Sequence, residues 1–226
     1  MQVAFLIPST SNNRDWNNIH ETYLFKILLP SLSKMKCLSK FKVFVGYDID
    51  DKIYSKQRIN KYENIDIEWI GVDGFKGNPC GIWNILGEVA MNQGYEYFKV
   101  LGDDIQIPED NWLDRFLVNL HLNNKIGFCS GWSNNDNIPT QFLIHKTHID
   151  IMGFIYPPSI HNWFCDDWMY GVYPDKFRYW NKEDKLLNCG GDPRYKPKDD
   201  KNLAIRLIKR HRPAINRFIN MNKNMN

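Results

Sequence analysis

Four short apolar runs, each ending in a polar loop, constrain this chain more than any other feature. They are Val3 to Ile7, Phe41 to Tyr47, Ile65 to Val72, and Tyr95 to Leu101. Segments with helical spacing separate them. Ile19, Tyr23, Leu24, Ile27 and Leu28 share one helical face, with Asp15 as a plausible N-cap and Pro30-Ser31 weakening the end. Asp50 or Asp51 caps a short helix through Tyr54, Ile59 and Tyr62. Ile82, Ile85, Leu86 and Val89 line a helix from Gly81 to Asn92, ended by Gly94. This β-α-β-α-β-α-β rhythm predicts an α/β domain with a mostly parallel sheet and helices on both faces. Ligands in such sheets bind at the carboxyl ends of the strands.

Polar groups gather at those ends. The first run opens into Pro8-Ser9-Thr10-Ser11-Asn12-Asn13-Arg14, the second into Asp48-Ile49-Asp50-Asp51, and the fourth into Gly102-Asp103-Asp104. Two adjacent carboxylates repel unless a cation or a shared proton sits between them. Mg²⁺ and Mn²⁺ prefer oxygen ligands and bind through one or two carboxylates plus substrate phosphates. An Asp-rich turn after a strand reads equally as a turn and helix cap.

After Pro108 the rhythm changes. Glu109-Asp110-Asn111 opens a helix with Trp112, Leu113, Phe116, Leu117 and Leu120 inside. Ile126 to Ser130 and Phe142 to Ile144 read as strands, and Thr147 to Asp150 as a capping box. An aromatic stretch, His161 to Tyr173, surrounds a second acid pair, Asp166-Asp167. Gly190 to Tyr195 is turn-rich and is placed to close over a ligand, with Arg194 or Lys198 supplying charge. Leu203 to Asn220 reads as an amphipathic helix interrupted by Pro213.

Length and composition fit one domain with ample core material: 226 residues, 43% apolar. No apolar run approaches the ~20 residues of a membrane span, and Met1 to Pro8 reads as a first strand rather than a leader. The five cysteines, Cys37, Cys80, Cys129, Cys165 and Cys189, are scattered and form no CxxC pair. Free thiols imply a reducing compartment, the cytoplasm, or the host's cytoplasm for a viral protein. From Lys201 onward there are seven Lys/Arg and no acid; subtracting them from the net +3 leaves −4 on the first 200 residues. That basic end suits a membrane surface or a solvated face. No reading motif for nucleic acid accompanies it, and none is expected as a partner. No G-x-G-x-x-G follows a strand and no P-loop is present, which argues against a dehydrogenase or P-loop enzyme.

Taken in order, these elements resemble the GT-A fold of nucleotide-sugar glycosyltransferases over roughly Val3 to Tyr173. The resemblance implies a single domain over 1–226: a nucleotide-sugar half at 1–108, an acceptor half at 109–200, and a basic C-terminal helix and tail at 201–226. It implies that Pro8, Ser9, Thr10 and Arg14 touch the nucleotide, that Asp48 or Asp50 reads the base or ribose, and that Gly77-Asn78 packs against the ribose. Gly102-Asp103-Asp104 matches the family's Asp-x-Asp element in degenerate form, with Asp104 the stronger ligand of Mn²⁺ or Mg²⁺ and Asp103 beside it. Asp166-Asp167 resembles the acid pair that supplies the catalytic base. Trp132, Trp163 and Trp168 suit sugar faces. The implied reaction moves a sugar from a UDP- or GDP-linked donor to a glycan, protein or other hydroxyl acceptor. A nucleotidyltransferase acting on sugar phosphates is the rival, although the loop from Pro8 to Arg14 has no Gly; a non-catalytic carbohydrate-binding protein is another. His145 and His148, three apart, could share a helical face; His211 is a weak match to the family's C-terminal metal ligand.

Overall fold

The computed structural model describes residues 1–56, 59–191, 195 and 201–223. Its strands are β1 (Gln2–Pro8), β2 (Lys40–Asp48), β3 (Lys61–Tyr62), β4 (Ile65–Val72), β5 (Tyr97–Val100), β6 (Ile105–Gln106), β7 (Phe128–Trp132), β8 (Leu143–His145), β9 (Arg178–Lys185) and β10 (Leu187–Asn188). Its helices are α1 (Leu29–Leu32), α2 (Pro79–Asn92), α3 (Trp112–Leu122), α4 (Thr147–Met152), α5 (Cys165–Val172) and α6 (Lys201–Lys223).

Eight strands form one sheet in the order β3-β4-β2-β1-β5-β8-β7-β9. β4, β2, β1 and β5 are mutually parallel; β7 and β9 are parallel to each other, while β3 and β8 run against their neighbours. The fold is α/β, with a mostly parallel central sheet flanked by helices. From β1 the chain moves outward to β2 and β4, then returns through α2 to β5 on β1's other side. The crevice between β1 and β5 is therefore the topological switch point, where such sheets bind ligands.

β1 is buried from Val3 to Ile7 because both faces of a parallel sheet are covered. On one face Ala4, Leu6, Phe44 and Phe98 pack with residues of α2, α5 and α6. On the other, Val3, Phe5, Val43 and Tyr97 pack with α3 and the segment around Leu24 to Leu32. Lys99 lies in this apolar run with no exposed surface; its ammonium donates to the Gln141 carbonyl and lies 5.2 Å from the Trp112 ring centroid. Burial holds it down to about 7.

Several local expectations change. The first connection is not one helix capped by Asp15. Asn18 accepts from the His20 amide and starts a single 3₁₀ turn, Ile19–Glu21; a π turn over Leu24–Leu28 then leads into α1. Pro30 does not end the helical run, which goes on to Leu32; it falls where the π turn gives way to α1. Of the helix expected through Tyr62, the described residues show a 3₁₀ turn at Tyr54–Lys56, while Lys61–Tyr62 is a strand that pairs with β4. Thr147 caps no helix: Lys146 holds that position, and the Thr147 hydroxyl is 2.7 Å from His145 Nδ1. His145 lies on β8, so it shares no helical face with His148.

Candidate active site

The carboxyl edge of the sheet opens into a cleft of about 320 Å³. Two strand ends are stitched across its floor. The Ser9 amide donates to Gly46 O at 2.8 Å, and the Leu101 amide to Leu6 O at 3.2 Å. Ser9 Oγ then crosses the switch point: it donates to Asp103 Oδ2 at 2.5 Å and lies 2.7 Å from the Tyr54 hydroxyl. Asp103 is only 2% exposed. Asp104, its neighbour, is less buried and lines the cleft as well. The adjacent acids thus differ in setting: one links the ends of β1 and β5, and the other is more exposed on the cleft wall.

Glycines make room for Asp104. A Cβ on Gly190 would fall 1.9 Å from Asp104 Oδ2, and one on Gly102 would fall 2.6 Å from Oδ1. The Cys189 amide donates to Asp104 O at 2.9 Å, and β10 pairs with β6, so the segment carrying Gly190 is tied beside this carboxylate.

The loops after β1 and β2 lock through Asp51, which has no exposed surface. Its carboxylate accepts from the Ser11 amide and hydroxyl, each at 2.7 Å, from Thr10 Oγ1 at 3.0 Å, and from the amides of Ile53 and Tyr54. Burial alone would raise its pKa; the converging donors outweigh it and hold the group below the ordinary carboxylate value. Asp48 faces the cleft. Its Oδ2 accepts from Asn12 Nδ2 at 3.0 Å, and the Tyr195 hydroxyl lies 3.4 Å away. Burial raises its pKa, against hydrogen bonds from Thr10 and Asn12 that lower it. Gly77, at φ +72, turns the chain where a Cβ would come within 3.2 Å of the Tyr195 ring. Asn78 caps α2 by accepting from the Gly81 amide at 2.9 Å, which brings the positive end of that helix to the cleft wall. Arg14 lines the same wall, its guanidinium 5.6 Å from the Tyr23 ring centroid.

Of the residues singled out in the sequence, the cleft gathers Pro8, Ser9, Thr10, Arg14, Asp48, Gly77, Asn78, Asp103, Asp104 and Trp163, the last 47% exposed. It does not gather Asp50, Trp132, Trp168, Asp166 or Asp167. Asp50 is exposed and pairs with Lys76 at 2.5 Å. Trp168 is fully buried, its indole donating to His211 Nδ1 at 3.2 Å. Asp166 and Asp167 lie in the first turn of α5, just past Asn162 and Trp163 of the cleft wall. Burial, then the charge of Asp167, raises Asp166 to about 7. His148 is core structure, bonded to the Tyr173 hydroxyl at 2.6 Å and Ile155 O at 2.9 Å. Arg194 and Lys198 lie outside the described residues. Residues that sequence reasoning missed include Trp83, whose indole donates to Leu6 O on the cleft floor, and Tyr195, which the turn-rich segment alone hinted at.

Among the described residues no three His, Cys, Asp or Glu side chains form a ready-made metal cage. No helix among them is long and apolar enough to cross a membrane.

No protein-family model matches the chain, and no curated protein matches it in sequence. Solved structures do match in shape. Staphylococcus aureus TarS 1-349 in complex with UDP aligns with a TM-score of 0.61 and 14% identity, over 93% of this chain and 65% of that one. The same protein in complex with UDP-GlcNAc gives 0.60 and 14%, over 93% and 66%. This chain therefore spans about two thirds of those TarS structures. A cytidylyltransferase from Leptospira borgpetersenii serovar Hardjo-bovis gives 0.54 and 12%, over 95% and 96%. Likeness at such identities shows the fold.

Proposed function

We propose that the chain is a metal-dependent glycosyltransferase that takes a sugar from a UDP- or GDP-linked donor to a hydroxyl of a glycan, protein or other acceptor. The observation that carries this reading is the division of labour at the switch point: Asp103 bonded to Ser9, and Asp104 presented to the cleft in a cradle of glycines. The TarS complexes with UDP and UDP-GlcNAc share the fold and lend support.

In this reading Asp48, Thr10 and Asn12 take the base or ribose, Gly77 and Asn78 flank the ribose, and Arg14 and the α2 N-terminus face the diphosphate. Mg²⁺ or Mn²⁺ would be held by the Asp104 carboxylate, whose oxygens pack against Gly190 and Gly102 because those residues carry no side chain. One protein carboxylate plus diphosphate oxygens is an ordinary donor set for such an ion, so a three-residue cage is not required. When bound, the ion would offset charge on the departing diphosphate. Asp166 is the better base of its pair, since a carboxyl near 7 accepts a proton at working pH and releases it again. An acceptor must reach it past Asn162 and Trp163. We assign 1–108 to the donor and 109–200 to the acceptor. The exposed cations of α6, among them Arg206, Lys209 and Arg212, support peripheral contact with an anionic membrane surface. The scattered thiols favour a cytoplasmic setting.

The cytidylyltransferase likeness spans nearly all of both chains, so transfer of a nucleotidyl group to a sugar phosphate is the second reading. One experiment separates them. Incubated with UDP- and GDP-sugars, the protein should release nucleoside diphosphate, and Asp104→Ala should stop it. Pyrophosphate release from CTP or UTP with a sugar phosphate, and none of the former activity, would establish the rival.

A further inference from the structure

Beside the cleft, two tryptophans stand near the β9 edge of the sheet: Trp132, expected from the resemblance to suit a sugar face but outside the cleft, and Trp180, given no role so far. Trp132 ends β7, and Trp180 lies on β9, the last strand of the sheet. Both are half-buried. Their register is irregular: Gly131 pairs with Asn181, but Trp132 pairs with Lys185. The extra residues of β9 form a bulge, a device that re-aims side chains. Each indole N–H is tied down. Trp180 Nε1 donates to Gly131 O at 3.1 Å, and Trp132 Nε1 to Asp136 Oδ1 at 2.9 Å. The rings are thus fixed by their edges, and flexible lysines lie over them: Lys182 Nζ is 4.4 Å from the Trp180 centroid, and Lys185 Nζ 4.6 Å from that of Trp132. A partly exposed cation–π contact contributes only ~1 kcal/mol, so these lysines are displaceable.

The patch is continuous with the cleft. Asn134 Nδ2 donates to Asn188 O, and the Asn188 amide to Asn134 Oδ1, both at 3.2 Å. Asn188 lines the cleft, and its Oδ1 accepts from the Gly190 amide, next to Asp104. A chain of groups therefore leads from the donor carboxylate to the two indoles. Charge does not favour an ionic ligand here, because Lys182 is matched by Asp136 at 3.6 Å and the same strand carries Glu183 two residues before Lys185. Exposed amides such as Asn134 and Asn137 both donate and accept, as sugar hydroxyls do.

We infer that Trp132 and Trp180 form a platform for a neutral oligosaccharide, which lays the apolar faces of successive sugars on the two rings and points its end toward Asp104. This rests on the glycosyltransferase reading for its role as an acceptor site, but not for binding itself. The test uses the full chain with chitotetraose, cellotetraose and maltotetraose as probes, followed by saturation-transfer NMR and titration. At least one should bind. Trp132→Ala and Trp180→Ala should each weaken it about tenfold or more, the scale of removing an aromatic anchor. The Phe variants, which keep a ring face, should restore most of the loss, with circular dichroism confirming folding. Binding of none of the three probes, or equal binding by the Ala variants, overturns the platform. Glycan binding without any turnover of UDP- or GDP-sugars would leave the platform standing and remove the transferase reading.

Discussion

Replacing Asp166 with Asn tests the site through stability as well as activity. In the folded chain burial and the neighbouring Asp167 raise this carboxyl from 3.8 to about 7. A raised acid binds its proton more tightly when folded. Its contribution to stability is therefore complete below its unfolded pKa and is lost as pH rises through the folded value. At about 1.36 kcal/mol per unit, the difference of roughly three units sets a ceiling of about 4 kcal/mol. Of this, about 2–3 kcal/mol falls between about pH 5 and about pH 8. Asn keeps the shape and remains neutral, so it carries no such loss. Urea unfolding of both proteins across that range should give curves that diverge, with the Asn variant gaining relative to wild type as pH rises. Parallel curves would refute the assigned burial. The kinetic arm is separate: a base must be ionised to accept a proton, so kcat/KM should rise through about pH 7 and collapse in the variant. Divergent stability with an unchanged rate profile would leave Asp166 a strained structural acid and pass the role to Asp167.

Three further outcomes follow from the same geometry. Gly190→Ala would place a methyl 1.9 Å from Asp104 Oδ2; it should sharply weaken metal-dependent nucleotide binding while the melting temperature stays near wild type, and an unaltered affinity would remove the cradle. Asp51→Ala strands the donors of Ser11, Ile53 and Tyr54, while Thr10 keeps Asp48 as an acceptor; a loss of about 3 kcal/mol or more in chemical denaturation is expected from emptying a buried charged acceptor, and less than about 1 kcal/mol would show that the loops hold without it. Ser9→Ala deletes the link to Asp103 and should cost about 1–3 kcal/mol, with nucleotide affinity falling alongside; stability loss without any change in affinity would separate the anchor from the site.

The parallel half of the fold was legible because strands buried on both faces are continuous apolar runs, as Val3 to Ile7 and Val43 to Val45 are. β9 was not. A charged, bulged edge strand such as Arg178–Lys185 needs no alternation, and Tyr179-Trp180 was its only signal. The first connection misled because its periodic apolar positions are met by 3₁₀, π and α turns in succession. In the cleft, Ser9, Asp48 and Asp104 could be placed from strand ends alone. Asp51 could not be separated from a simple cap, since its task depends on bonds across 40 residues to Ser11. Trp168 looked like a sugar platform because aromatics flank the acid pair, but a buried indole with a partner in His211 belongs to the packing of α5 on α6. Trp180, which drew no notice, lies half-buried on the edge strand β9.

The claim at the centre is that Asp104 and a divalent ion together hold a nucleoside diphosphate. Thermal unfolding of the wild type and Asp104→Ala with UDP or GDP, each with and without Mn²⁺, measures it directly. The account predicts stabilisation of the wild type by one of these nucleotides only when Mn²⁺ is present, and none in the variant. Indifference of the wild type to both nucleotides, or equal stabilisation of Asp104→Ala, would contradict it.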